Sequence, residues 1–364
     1  MGYIHKGVVS TNGKIDPEAI LTESEELTVH QEDDGIQITD YEKGDFEWWY
    51  FDISDVPSGC FLKLVIHIGT DPLRTKVKSQ LAISLNTSEI NKGISYPFSL
   101  NDMRADVQQC NISISNKIKI LVEPDNPFVY TINIDIPGFK CDLRFKSYLE
   151  GWKPLGKKVL YESGKRKVDF SWVIPVPGAT VEGYFYNENR KHTFTGARGY
   201  HDHNYIKIDR KYPLYLDNLV NKWYWGKCYA GGYTVVFCDV YCMINRILSL
   251  MVADQNKIIY SSNNLINSSV LSYGYDRILK AEYPVSLQIK CLDEQFPFKA
   301  EFEFEKILDR MDLLEGVNRI FKFLIKQLVA RPVYHGIFAS VRLDINNSSL
   351  DGYGNFESMV FRGK

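Results

Sequence analysis

The chain has 364 residues, 45% of them hydrophobic, with 43 Lys and Arg against 45 Asp and Glu, a formal net charge of −2. That length allows two ordinary domains, each with its own core. Balanced charge without a basic block argues against a nucleic-acid partner. Seven cysteines, odd in number and irregular in spacing, suit reduced thiols better than a disulfide framework. The start, Met1-Gly2-Tyr3-Ile4-His5-Lys6, carries neither the apolar run of a signal peptide nor the Ser or Thr of a myristoylation site, so a cytoplasmic protein is expected.

In chain order, residues 1–40 are polar, and Glu23 to Glu26 with Glu32-Asp33-Asp34 reads as a solvated acidic arm. Asp45-Phe46-Glu47-Trp48-Trp49-Tyr50-Phe51-Asp52 has strand propensity, and alternation puts Glu47, Trp49 and Phe51 on one side. This is a core strand, or a strand whose Trp and Glu line a pocket. Short β-rich runs follow at Phe61–Ile68, Gln80–Leu85, Cys110–Val122, Phe128–Ile136 and Cys141–Tyr148, the spacing of an antiparallel meander. The stretch from Ser171 to Ala179 contains Pro175 and Pro177 and reads as an ordered connection, not a central strand. A hairpin is expected around Asn187-Glu188-Asn189.

The polar chemistry concentrates in Gly199-Tyr200-His201-Asp202-His203-Asn204-Tyr205. As a strand it places His201, His203 and Tyr205 on one face and Asp202 and Asn204 on the other. Such a pair of histidines makes a catalytic site or a metal clasp with a carboxylate as third ligand. After a charged break, Trp223-Tyr224-Trp225-Gly226 opens a second β set. Within it Tyr233, Val235, Phe237, Asp239 and Tyr241 share a face, so that one carboxylate sits in an aromatic row. Taken alone, such a carboxylate is paired with an arginine or faces solvent. No βαβ crossover helix separates the strands. One amphipathic helix is expected over 312–331, with Leu313, Val317, Ile320, Leu324 and Leu328 against Arg319, Lys322 and Lys326. It either packs on a barrel or touches a membrane surface.

Glu47-Trp48-Trp49-Tyr50-Phe51, the Trp172 to Pro177 crossing, Gly199 to Asn204 and Trp223 to Gly226 occur in the order in which the carotenoid hydratases, also called hydroxyneurosporene synthases, carry them. From about residue 40 onward the chain resembles that family. The resemblance implies an all-β protein of two lipocalin-like antiparallel barrel halves, here 41–210 and 211–364, around an apolar cavity. It also implies no cofactor, no metal, and addition of water across an isoprenoid C=C bond. By the same resemblance His203, Tyr205, Phe237 and Asp239 stand at the site positions, with Asp239 as proton donor and His203 handling water. Tyr205 replaces the family's Trp, Phe237 replaces its Tyr, and the His-to-Asp spacing is longer by an insertion around Arg210 to Leu216. Trp49, Glu47, His201, Trp223, Trp225 and Tyr241 complete the expected substrate-binding set. The chemistry fits: a carboxyl kept neutral by an apolar pocket can protonate an alkene, and aromatic faces stabilise the resulting cation. The expected partner is a hydrophobic isoprenoid, on a membrane lipid or as an acyclic carotenoid. A cyclase of the same fold and a carrier of an apolar ligand are the alternatives.

Overall fold

The computed structural model describes residues 18–21, 28–70, 76–154, 158–163, 166–213, 215, 219–242, 246–263, 265–314 and 332–361. It is nearly all β, built on two large curled antiparallel sheets that form half-barrels. The chain divides into two compact units. The first, here the N-terminal unit, is Ser24–Lys158 with Phe170–Lys207; the C-terminal unit is Ile208–Lys364 with Met1–Glu23 and Val159–Asp169.

Most of the first sheet runs, neighbour to neighbour, through Asn91–Pro97, Val77–Asn86, Cys60–Thr70, Phe46–Asp55, Arg190–Ile208, Arg166–Asn187, Phe139–Ser147, Asn126–Ile136, Ile118–Glu123, Ile112–Ile114 and Met103–Ala105. Sequence neighbours are mostly sheet neighbours, as a meander requires. Alternation fills the concave side: Trp49, Phe51, Leu64, Ile66, Ile132, Ile134, Leu143 and Phe145 belong to one buried cluster. The second sheet runs through Lys257–Ser262, Arg246–Asp254, Tyr233–Cys242, Val220–Ala230, Ser348–Val360, Val333–Ile345, Phe298–Asp312, Ala281–Cys291 and Ile266–Asp276. Its cluster contains Phe237, Leu250, Val252, Leu287, Phe302, Ile337 and Phe356.

Three expectations change. The proline-rich stretch is not a connection, because Arg166–Asn187 is one continuous strand. Prolines two residues apart remove backbone donors from one flank only, and on the other flank Ile174 exchanges both backbone bonds with Trp152. Asp33 and Asp34, expected in a solvated arm, are 3% and 2% exposed. The expected helix begins where the structure has the end of a strand at Asp312 and then a turn, and its remaining residues, 315–331, lie outside the described residues. Among the described residues no helix is long and apolar enough to cross a membrane.

Candidate functional site

In the N-terminal unit the strand Arg190–Ile208 lies antiparallel to Phe46–Asp55. The register sets His201 opposite Phe51, His203 opposite Trp49 and Tyr205 opposite Glu47. Each histidine stacks on its partner, His201 on Phe51 with ring centroids 3.8 Å apart and His203 on Trp49 at 4.6 Å. His201, His203, Trp49 and Glu47 are fully buried. Tyr205 tilts against the His203 ring at 5.8 Å.

The carboxylates that meet these imidazoles come from far along the chain. A single turn of 3-10 helix, Gln31–Asp33, is closed by Asp33 Oδ2, which accepts from the His30 backbone N–H at 2.9 Å. Gly35 then lets the backbone press against Val107, since a Cβ at Gly35 would lie 2.4 Å from the Val107 carbonyl oxygen. Held there, Asp34 Oδ2 lies 2.9 Å from His201 Nε2 and accepts the Tyr130 hydroxyl at 2.7 Å. Asp33 pairs with the buried Lys153 at 2.6 Å. Glu47 Oε1 lies 2.8 Å from His203 Nε2. The two Glu47 oxygens also accept from the backbone of Gln37 at 2.8 Å and Ile38 at 3.2 Å and from the Tyr41 hydroxyl at 2.5 Å.

The second ring nitrogens decide where the protons are. His201 Nδ1 faces the Tyr50 carbonyl at 2.9 Å, and His203 Nδ1 faces the Asp33 carbonyl at 3.2 Å. A carbonyl can only accept, and an ionised carboxylate can only accept. Each imidazole therefore lies between a backbone carbonyl and a carboxylate. For His203, burial alone would lower the pKa. The Glu47 hydrogen bond and charge, the Asp34 charge and the Asp33 carbonyl outweigh it and hold the pKa above the ordinary histidine value. On the other face of the strand, Asp202 accepts from Trp172 Nε1 at 3.2 Å, the Tyr200 hydroxyl at 2.8 Å and Asn204 at 2.8 Å.

Among the described residues Asp34, Cys110 and His201 offer metal-ligand atoms within 4.8 Å of one another. His201 and Asp34 already bond directly, so the set does not need an ion to account for its geometry. His203 turns to Glu47, so the two histidines of the metal clasp considered as the alternative to a catalytic site are split between two carboxylates.

Asp239 belongs to the C-terminal unit. It is fully buried, and Arg246 occupies both of its oxygens, Nε to Oδ1 and Nη2 to Oδ2, each at 2.6 Å. That is the arginine-paired arrangement weighed above as the alternative to an acid. Phe237 and Tyr241 share its face, and Tyr224 is its register partner. Burial first, then the Asp239 charge, pushes the Tyr241 hydroxyl up to about 12. Trp223 and Trp225 pair with Val240 and Cys238, so alternation turns them to the opposite face from Asp239.

No family model matches this sequence, and no curated relative matches it. Solved structures do resemble it. The crystal structure of CghA with Sch210972 is similar at TM-score 0.62 with 10% identity, over 94% of this chain and 98% of that one. An AttH-like protein from Nitrosomonas europaea is similar at TM-score 0.60 with 12% identity, over 86% and 92%. Kievitone hydratase from Nectria haematococca is similar at TM-score 0.55 with 11% identity, over 88% and 90%. At such identities the likeness establishes a shared fold across nearly the whole chain.

Alternation within each strand was enough to place His201, His203 and Tyr205 together, and Glu47 with Trp49. It gave no sign of Asp33, Asp34, Tyr41, Tyr130, Lys153 or Arg246. The one available signal was the Glu32-Asp33-Asp34-Gly35 run, an acidic turn closed by a glycine. Nothing local tied it to a histidine 167 positions away.

Proposed function

We propose that the chain is a cofactor-independent hydratase that adds water across an isoprenoid C=C bond, of a geranylgeranyl chain on a membrane lipid or of an acyclic carotenoid. The observation that carries this reading is the double pairing His201–Asp34 and His203–Glu47, two buried imidazoles each set between a backbone carbonyl and a carboxylate. The fold shared with kievitone hydratase supports it.

Hydration of an alkene begins with a proton to carbon. In this reading the Asp34–His201 pair supplies it, the tertiary cation rests against aromatic faces such as Trp49 and Tyr205, and His203 orients the water that captures it. That water gives its spare proton back to the Asp34–His201 pair, so the balance closes without a co-reactant. The sequence reading assigned the acid to Asp239. Both Asp239 oxygens are held by Arg246, which must swing away before Asp239 can donate.

The test is a mass-resolved assay in ¹⁸O-labelled water with geranylgeranyl lipid and with an acyclic carotene. Wild type is expected to yield product heavier by one labelled water. Asp34→Asn and His203→Gln are expected to lose on the order of 10²-fold in rate or more, the usual contribution of positioned acid–base groups. Full activity in Asp34→Asn with a dead Asp239→Asn returns the acid to Asp239. No labelled product from wild type overturns the hydratase reading, and isomerisation without mass change selects the cyclase. One observation favours a carrier: all four ring nitrogens of His201 and His203 are already bonded inside the protein, as a purely structural network would have them.

A further inference from the structure

The concave face of the C-terminal sheet changes character from one row to the next. Register sets Phe237, Gly226, Phe356, Ile337 and Ile307 side by side on consecutive strands, an apolar row. The next row on that face carries Asp239, Tyr224, Ser358, His335 and Arg310. Asp239 is matched by Arg246, whereas the state of His335 is set from outside the row.

His335 is fully buried, and its Nε2 lies 3.2 Å from Asp276 Oδ2. The other Asp276 oxygen accepts from the backbone of Ile278 at 2.7 Å and Leu279 at 3.2 Å and from Arg310 Nη1 at 3.4 Å. Burial alone would raise the Asp276 pKa, but the two backbone donors, with Arg310 and His335, bring it below the usual carboxylate value. A carboxylate so held is an acceptor, and it fixes the proton on His335 Nε2. Burial chiefly lowers the pKa of His335 itself, so at neutral pH the ring is uncharged and Nδ1 carries a lone pair. Among the described residues no donor reaches that Nδ1, which is buried. A buried acceptor without a partner costs stability, and native proteins keep few of them.

We propose that this row is a binding site for an apolar ligand bearing a hydroxyl group. His335 Nδ1 accepts the ligand O–H, and the hydrocarbon body lies along the neighbouring row of Phe237, Phe356 and Ile337. An ammonium donor is disfavoured, because Lys222, Arg246 and Arg310 stand on or beside this row against two carboxylates, Asp239 and Asp276. Asp276 is a positioning residue that acts through the imidazole tautomer. The proposal does not depend on the hydratase reading, since its test measures binding alone.

Farnesol and the hydrocarbon farnesene serve as probes on the full chain, with affinity read by calorimetry and the His335 ring nitrogens read by ¹⁵N NMR. Wild type is expected to bind farnesol about tenfold more tightly than farnesene, the worth of one net hydrogen bond. Farnesol, but not farnesene, is expected to move the Nδ1 resonance toward its hydrogen-bonded position. His335→Phe is expected to lose the preference and bind both probes equally, and His335→Gln, which restores an acceptor, to recover part of it. Equal binding by wild type, binding of neither probe, a preference that survives in His335→Phe, or an unmoved Nδ1 signal overturns the proposal. Should His335→Phe fail to fold, the wild-type NMR result decides.

Discussion

Glu47→Gln is the most informative single substitution in the N-terminal unit. The native carboxylate meets four donors: the backbone N–H groups of Gln37 and Ile38, the Tyr41 hydroxyl and His203 Nε2. An amide keeps one oxygen and presents an NH₂ at the other position. In the better orientation the oxygen serves Ile38 and Tyr41 while the NH₂ donates to His203, which must then give up its Nε2 proton, and Gln37 N–H is left facing another donor. An orphaned buried N–H costs about 1–3 kcal/mol and a lost charged hydrogen bond about 1.5–3 kcal/mol. The expected destabilisation is about 3–5 kcal/mol, the range found for breaking a buried ion pair from one side. Urea unfolding followed by far-UV circular dichroism measures it. A loss under about 1 kcal/mol would mean that the four-donor description of Glu47 is wrong.

In the C-terminal unit, Arg246→Met strands a fully buried Asp239 and is expected to cost about 3–5 kcal/mol in denaturant unfolding, most of it recovered in the double variant with Asp239→Asn. A double variant no better than the single one would show that packing, not charge, set the loss. Gly183 has φ +123°, and a Cβ there would sit 2.1 Å from the Asp142 carbonyl oxygen. Gly183→Ala is therefore expected to cost roughly 3 kcal/mol or more, read from its unfolding midpoint, and a neutral result would contradict the register of Arg166–Asn187 against Phe139–Ser147. All seven cysteines are buried. Titration with a thiol reagent is expected to find none fast-reacting in the native protein and seven after denaturation; one fast thiol would show an opening that the fold does not contain.

The strands were legible because most of them alternate. Glu47, Trp49 and Phe51, or Val235, Phe237 and Asp239, display a period of two that needs no tertiary knowledge. The strand Ile266–Asp276 shows no such alternation, because Asn267, Ser268, Ser269 and Ser272 dilute the signal among its apolar positions. The Pro175–Pro177 stretch misled because its sheet partner on the bonded flank, Trp152, could not be foreseen. The site divides the same way. Relations within a strand could be read, as with His201 and His203 on one face. Relations between strands could not: which face of Val220–Ala230 meets Asp239 depends on a register that puts Tyr224, not Trp223 or Trp225, beside it.

The two units neutralise buried charge by different means, and this predicts opposite contributions to pH-dependent stability from His203 and His335. In the N-terminal unit three buried carboxylates, Asp33, Asp34 and Glu47, are met by Lys153, His201 and His203, so two of the three partners are imidazoles. His203 has its folded pKa raised, so its stabilisation is complete below the ordinary value of 6.5 and is lost as pH rises through the folded pKa. In the C-terminal unit Asp239 and Asp276 are met by Arg246 and Arg310, which keep their charge across the accessible range. Here His335 has its folded pKa lowered, and this unit loses stability as pH falls from about 6.5 through that folded value. Hydrogen exchange of the full chain at pH 5.5 and at pH 8.5, corrected for intrinsic rates, separates the two effects. Burial lowers the His67 pKa to about 4 and also lowers that of His192, so both oppose His203 in the N-terminal unit. In a His67→Phe/His192→Phe background, amides of Arg190–Ile208 are expected to be better protected at the lower pH, and those of Val333–Ile345 at the higher. Equal protection of Arg190–Ile208 at both values would show that His203 does not carry its second proton in the folded state. The pairing with Glu47 would then be a neutral hydrogen bond.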